Sequence, residues 1–361
     1  MKTRRAAICL QVLIFIISLA ILGFTEPGYS QTAKTNVIKW RGQTGFPTTI
    51  APYGPFGQGN TGIFASGKQW SDWLTHRTGG RLVIEWREPG SVFPVTETDN
   101  AVSQGVVQIS FSYGGWYSGR IPETDIETGG IFFWEDESQL YECLHKYGLF
   151  QALQKVYAKR NLFWIPHHLG SIVNIGTTFP APTPESLKGK KIRTLGIWGD
   201  YIAMLGATPV SIPWGDVYMA AKLGTIDGWC AGVGSMEELK LKEVAKGLVV
   251  TPVVSQGMSN MIINKSAYDA LPKDIQEILQ KEAPHMTYVA STHWHNQCLW
   301  VIRHAKENYK VDLFNWSAKD ADRVTQLAAD KIYPKIAAKS PSCAELMEIV
   351  KKQMRDYARI K

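Results

Sequence analysis

Cysteine is scarce in this chain, with five in 361 residues, and Cys9 lies inside an apolar amino-terminal run. The other four, Cys143, Cys230, Cys298 and Cys343, show no CxxC pair and no metal-like spacing. An exported chain could pair them in three ways, but a core of this size does not require a disulfide, and free buried thiols fit at least as well. Also absent are a GxSxG elbow, an HExxH helix and a Walker loop, so no covalent or metallohydrolase chemistry can be assigned from motifs. The basic residues are scattered and form no stripe interleaved with aromatics, which makes nucleic acid a weak partner. There are no repeats, and beyond residue 30 no stretch is long and apolar enough to span a bilayer.

What is present is an ordinary globular composition, 45% hydrophobic and 20% charged, in a chain long enough for two domains. Residues 1–30 stand apart: Lys2, Arg4 and Arg5 precede an apolar run over residues 8–24, and Gly28, Tyr29 and Ser30 suit cleavage before Gln31. This resembles a secretory signal, with an uncleaved anchor as the alternative. Cys9 is badly placed for lipoprotein attachment. Three positive charges and one negative leave with those residues, taking the net charge from +7 to +5. That excess favours acidic small molecules or an acidic partner surface, or is only a solubility charge.

Residues 189–228 hold the densest pattern. Residues 191–195 predict a short strand carrying Arg193, Gly199 and Asp200 open a helix, and Gly206 ends it. A strand over residues 209–212 follows, Asp216 caps a second helix, Gly224 stops it, and residues 225–227 open a third strand. Such β-α-β-α-β units build parallel sheets, which bind ligands at the carboxyl ends of their strands, where Arg193 falls. The first half repeats the arrangement: strands at 37–41, at Leu82, Ile84 and Trp86, and at 106–112, with helices around Trp70 and Leu74 and over 96–104. A long helical segment over 135–160 lies between the units. Later come a short strand at 261–264, a helix opened by Pro272 and Lys273, a very long helical region from about 282 to 308, and more helix from 318 onward. The fold class is therefore α/β with two facing lobes, and the cleft between them is the preferred ligand site.

Several motifs point elsewhere. Gly57, Gly59 and Gly62 match a dinucleotide fingerprint, with Glu85 as an acidic partner, and would make the chain a NAD-dependent α/β oxidoreductase. The fingerprint needs a tight turn directly after a strand, and here residues 42–56 intervene with three prolines, so a loop beside the cleft is the better reading. His293 and His295 are two apart and diverge on a helix. His295 with Cys298 lacks a third ligand, and His167 and His168 end a strand with no partner at metal spacing. Trp116, Trp198, Trp214 and Trp229 sit at strand ends or beside glycines, where an indole can stack on a ligand instead of filling the core.

GKKIRT, LGATPV, WGDVYMAAKLGTIDG, KEVAK and IINKSAYDALPKDIQ, in that order, resemble the solute-binding proteins of tripartite ATP-independent periplasmic (TRAP) transporters, the DctP family. TGGRLVIEW, the glycine-bounded aromatic patch at 113–119 and RIPE extend the resemblance over nearly the whole exported chain. It implies a two-lobed type II periplasmic-binding-protein fold with a long helix crossing both lobes. Lobe I would take 31–168 plus about 256–295, and lobe II 169–255 plus about 296–361. It further implies a periplasmic location, a carboxylate ligand, a sodium-driven membrane permease as partner, and no enzymatic activity or cofactor. The receptor would be a monomer or homodimer; service in another transport or sensory system is the alternative.

The resemblance also assigns roles. Arg193 holds the ligand carboxylate, since a planar guanidinium meets a carboxylate with two parallel hydrogen bonds. Trp214 lies over the ligand, and Asn174 is a polar contact on the preceding strand. Trp116, Tyr117 and Trp198 are further candidates. Where relatives keep a glutamate and then a polar or indole contact to ligand or metal, this chain has Cys230 and Ala231, beside Trp229. Losing that carboxylate removes the hard-oxygen ligand a cation needs, so no metal is expected. The expected ligand is a monocarboxylate with an apolar or aromatic body, or a 2-oxo or hydroxy acid. A second basic residue in the pocket, Arg120 or Arg41, would favour a dicarboxylate instead.

Overall fold

The computed structural model describes residues 36–46 and 63–360. Ten strands among them join one mixed sheet: β1 (Ile38–Thr44), β2 (Leu82–Arg87), β3 (Ile109–Ser112), β4 (Leu162–Thr177), β5 (Lys191–Arg193), β6 (Thr208–Val210), β7 (Gly228–Gly232), β8 (Gly247–Thr251), β9 (Ser255–Asn264) and β10 (Asp312–Asn315). The helices before the second unit are α1 (Ile63–Arg77), α2 (Thr98–Ser103), α3 (Thr124–Glu127), α4 (Glu137–His145) and α5 (Leu149–Ala158). Then follow α6 (Trp198–Met204), α7 (Val217–Lys222), α8 (Ser235–Glu238) and α9 (Lys265–Asp269). The chain closes with α10 (Lys273–Tyr309), α11 (Ala318–Lys331), α12 (Tyr333–Ala337) and α13 (Pro341–Asp356).

The sheet has two halves of one design. In the first, β1 pairs in parallel with β2 and β3, and β9 lies antiparallel to β3. In the second, β5 pairs in parallel with β6 and β7, and β4 lies antiparallel to β7 and β8. Each half thus takes its antiparallel strand from a segment that runs through both. β4 and β9 pair along most of their length, and the register slips between Pro166 and Ser171, where β4 passes from one half to the other. The two expected β-α-β-α-β units are β1-α1-β2-α2-β3 and β5-α6-β6-α7-β7.

Several boundaries differ from the sequence expectation for identifiable reasons. The helical segment expected over 135–160 is two helices, because Gly148 takes a left-handed φ of 90° between α4 and α5. Residues 225 and 226 do not open β7; their N–H groups bond back to the Ala220 carbonyl and close α7. Asp216 ends a 3-10 turn (Trp214–Asp216), and its side chain makes no capping bond. His167 lies in mid-strand rather than at an end, since β4 continues to Thr177.

The helix opened by Pro272 and the long helical region are one 37-residue helix, α10, which continues through Pro284. At 1.5 Å per residue it reaches about 55 Å. Its apolar stripe changes core on the way. Ile275, Leu279 and Ala283 pack with Trp40, Trp70 and Leu82 of the first half. Trp294, Cys298, Val301 and Ala305 pack with Val217, Ile226 and Trp229 of the second. Where it crosses β4, the Thr287 hydroxyl donates to the Pro166 carbonyl at 2.6 Å. No helix among the described residues is long and apolar enough to cross a membrane.

Candidate functional site

The carboxyl ends of four parallel strands, two from each half, carry the candidate site. β1 runs into Gly45 and Phe46; β3 runs into Tyr113 and a 3-10 turn (Gly114–Tyr117) bearing Trp116. The Phe46 and Trp116 rings lie 5.1 Å apart, and Tyr113 meets Trp116 edge-on at 5.9 Å. Glycine is required at 45, because a Cβ there would fall 2.0 Å from the Trp116 ring. From the other half, Trp198 at the start of α6 approaches Tyr113 with ring centroids 6.1 Å apart. Its indole N–H donates to the Gly130 carbonyl at 3.3 Å. A row of rings therefore joins β1 to α6.

Arg193, the last residue of β5, sits beside this row and is only 2% exposed. Its Nε donates to the Ile212 carbonyl at 3.1 Å, and its guanidinium carbon lies 5.3 Å from the Trp214 ring centroid. It forms no ion pair among the described residues, and neither Nη nitrogen donates to one of them. Burial holds its pKa below the usual value, against small opposing effects from the nearby Cys230 and Tyr113. A guanidinium out of water with two idle nitrogens is suited to a planar anion.

The Cys230 thiol lies on β7 with no exposure, and burial pushes its pKa up to about 12, so it is protonated at neutral pH. Arg193, Trp214, Trp198, Trp116 and Cys230 are thus brought together. Three other sequence candidates are placed differently. Trp229 points into the apolar core of the second half and lies over Gly176, where a Cβ would come 2.5 Å from its ring. Asn174 is tied to backbone: its Nδ2 donates to the Val250 carbonyl at 3.2 Å and its Oδ1 accepts from the Val254 N–H at 3.4 Å. The Tyr117 hydroxyl accepts from Asn260 Nδ2 at 3.0 Å and lies 3.2 Å from Ser112 Oγ, inside a buried network with Glu127.

Neither alternative cation reaches the ring row. Arg120 is held by Asp99, at 2.9 Å from Nε, and by Glu97, at 3.2 Å from Nη1. Arg41 is exposed, and its Nη2 donates to the Val106 carbonyl at 3.3 Å. The fingerprint glycines at 57, 59 and 62 lie outside the described residues. The four cysteines from Cys143 onward are free and buried. Phe46 and Tyr113 at the site were not singled out from sequence. Phe46 carried a usable signal, an aromatic directly after a strand, as Trp116 is after β3.

Two halves with shared antiparallel strands and a helix through both define a type II periplasmic-binding-protein fold. The family model of bacterial extracellular solute-binding proteins, family 7 (DctP), matches residues 58–340, and the chain belongs to that family. It is 27% identical over 249 residues to a monocarboxylate 2-oxoacid-binding periplasmic protein of Nostoc sp., a match covering 67% of this chain and 64% of the relative. It is 27% identical over 205 residues to the ectoine-binding periplasmic protein TeaA of Halomonas elongata, covering 52% of this chain and 56% of that protein. The chain thus spans less than two thirds of either relative. A TRAP periplasmic solute-binding protein of Colwellia psychrerythraea, solved with calcium and pyruvate, superposes with a TM-score of 0.77 at 21% identity, over 89% of this chain and 95% of that one.

Cys230 and Ala231 offer no side-chain oxygen to such a metal. Calcium and sodium take oxygen ligands. At the position where the family resemblance places a carboxylate, this chain has a protonated thiol, Cys230, followed by Ala231. Among the described residues no group of three or more His, Cys, Asp or Glu could hold a metal ion.

Proposed function

We propose that this chain is the extracytoplasmic receptor of a TRAP transporter, exported to the periplasm, which captures an organic monocarboxylate and delivers it to a sodium-driven membrane permease. Arg193 anchors the carboxylate through its two idle Nη nitrogens, Trp214 covers the guanidinium, and Phe46, Trp116, Tyr113 and Trp198 enclose the ligand body. The observation that carries this reading is the buried guanidinium with no counter-ion among the described residues, at the strand ends where such sheets bind ligands. A single available cation among the described residues favours one carboxylate over two, since Arg120 and Arg41 are turned elsewhere. The named ligands of relatives, a 2-oxoacid and pyruvate, are small carboxylates as well.

Capture requires the two halves to part and close as lobes, with β4, β9 and α10 as the segments that cross between them. Binding needs one anchoring charge and a shaped enclosure, with no reactive group, so the protein is read as a receptor and not an enzyme. A thermal-shift screen of the ligand-free protein against organic monocarboxylates and dicarboxylates tests this, because a ligand that binds the folded form raises apparent stability by mass action. Monocarboxylates are expected to raise the melting temperature; a response confined to dicarboxylates or amines would refute the reading.

A further inference from the structure

Two rings of the row, Tyr113 and Trp116, come from one short segment, and both ends of that segment are fastened inside the protein. Ser112, the last residue of β3, and Tyr117, the last of the 3-10 turn, are buried, as is Asn260 behind them. Ser112 Oγ donates to Asn260 Oδ1 at 2.6 Å, Asn260 Nδ2 donates to the Tyr117 hydroxyl at 3.0 Å, and that hydroxyl lies 3.2 Å from Ser112 Oγ. With the Ser112 proton committed to Asn260, the Tyr117 hydroxyl donates back to Ser112 and closes a ring of three hydrogen bonds. In such a ring each bond polarises the next, and losing one member leaves its neighbours short of a partner.

Glu127 braces this ring of bonds. It is buried, and its two carboxyl oxygens accept from Asn260 Nδ2 and from the Tyr157 hydroxyl on α5. The Asn260 amide is thereby oriented, nitrogen toward Tyr117 and Glu127, oxygen toward Ser112. The turn itself lies on the same carboxyl: a Cβ on Gly114 would fall 3.2 Å from Glu127 Oε1 and 2.9 Å from Thr124 Cβ. Asn260 stands opposite Ser112 in the register of β3 and β9, and β9 is one of the two strands that run through both halves. The ring-bearing turn is therefore tied at both ends and at its first glycine to a crossing strand and to α3.

We infer that Glu127, Asn260 and Tyr117 are positioning residues for capture, holding Tyr113 and Trp116 in the arrangement that encloses the ligand body before the ligand arrives. The inference rests on the proposed capture of an acid by Arg193 and the ring row. It gives Tyr117 a part there that acts through Tyr113 and Trp116 and not by contact. Rings held in place beforehand give up less freedom on binding, and affinity gains by that amount. Burial pushes the Glu127 pKa up to about 7, and its charge acts on Tyr113. Packed against it are Tyr157 from α5, Tyr117 and Tyr113 from the turn, Asn260 from β9 and Trp164 from β4, none of them cationic. Asp125 on its own helix is paired with Lys339. Ionisation of Glu127 thus places a buried negative charge, with no counter-ion among the described residues, behind the ring row. Affinity for an anion then falls as pH rises through that range.

The test is calorimetric titration of the purified exported chain with pyruvate, butanoate and phenylacetate, at a temperature where every variant is folded. Tyr117→Phe keeps the ring and removes one member of the network; it is expected to weaken the acid that binds best by about three- to tenfold. Wild-type affinity for that acid should fall by about threefold or more between about pH 6 and about pH 8, a profile that needs no variant, and in Glu127→Gln it should be level. Tyr268→Phe is the control. It removes a hydroxyl bonded to Gln280 at 2.8 Å, beyond the opposite end of β9, and should lower stability without changing affinity, as any purely structural loss would. If the wild type binds none of the three acids, capture of such monocarboxylates by Arg193 has failed and this inference falls with it. If it binds one, then equal affinity of Tyr117→Phe and wild type, a level wild-type profile, or a pH dependence that survives in Glu127→Gln overturns the positioning inference alone.

Discussion

Removing Arg193 separates binding from stability. A buried cation with no counter-ion among the described residues carries a desolvation cost that the Ile212 carbonyl and the Trp214 ring offset only in part. Arg193→Ala is therefore expected to reduce affinity for the captured acid by about 2–5 kcal/mol, thirtyfold or more. The ligand-free melting temperature should stay within about 2 °C, because no folded-state ion pair is lost. Arg193→Lys should recover only part of the affinity, since an ammonium cannot form the paired bonds of a guanidinium. Retained affinity in the alanine variant, measured by titration, would show that the anchor lies elsewhere. A second residue-scale prediction concerns Glu127. It is fully buried and accepts hydrogen bonds from Tyr157 and Asn260, and burial pushes its pKa from 4.5 to about 7. A carboxyl raised in the folded state contributes stability below its unfolded pKa and loses it as pH rises through the folded one. Stability should thus fall between about pH 4.5 and 7, by on the order of 3 kcal/mol from this group. Glu238, also raised by burial to about 7, adds to the same fall. Glu127→Gln should visibly flatten the dependence of urea midpoint on pH, and an unchanged slope would count against it. Arg193 was legible from sequence because a motif fixed its place at a strand end. Asn174 follows from the family resemblance and Trp229 from its strand-end position, yet the structure ties the first to backbone and puts the second in the core. Strand position alone does not say which face a side chain takes.

At the scale of elements, the paired strands β4 and β7 depend on one small residue. Gly176 faces the Trp229 indole so closely that any side chain must displace it, with ring atoms 2.5 Å from a Cβ. Gly176→Ala is expected to cost about 1–3 kcal/mol in urea unfolding, the range of overpacked cores. Combining it with Trp229→Leu should cost less than the two single changes added, because the second removes the obstruction. Strict additivity would show that the close approach is not what limits position 176. The elements themselves were well marked in sequence where periodicity and glycine agreed, as in the two β-α-β-α-β units. They were misread where one residue overrode the pattern. Gly148 splits a stripe that looks continuous, and Pro284, which ordinarily stops a helix, is carried inside α10. Contacts along the whole of α10, from Ile275 to Ala305, hold the helix through that break, and such contacts are invisible to a local reading.

For the molecule as a whole, the question is what supplies the charge that faces the ligand. A solute-binding protein of similar fold was solved with bound calcium and pyruvate. Here the titratable neighbours of Arg193 are the protonated Cys230 thiol and Tyr113, and among the described residues Arg193 is the buried positive charge placed at the ring row. On the proposed reading, ligand affinity should therefore be independent of divalent cations. Dialysis against EDTA and then titration with the best acid from the screen should give an affinity within about twofold of the untreated protein, and added calcium should leave it there; by linkage, a bound ion that took part in recognition would tie ligand affinity to ion concentration. The same titrations should weaken with rising salt, since closing the two halves over one charge pair leaves the approach of the anion open to screening. A tenfold loss on chelation, restored by calcium, would mean that Cys230 and Ala231 do not remove the metal as argued, and that the oxygen ligands come from elsewhere in the chain.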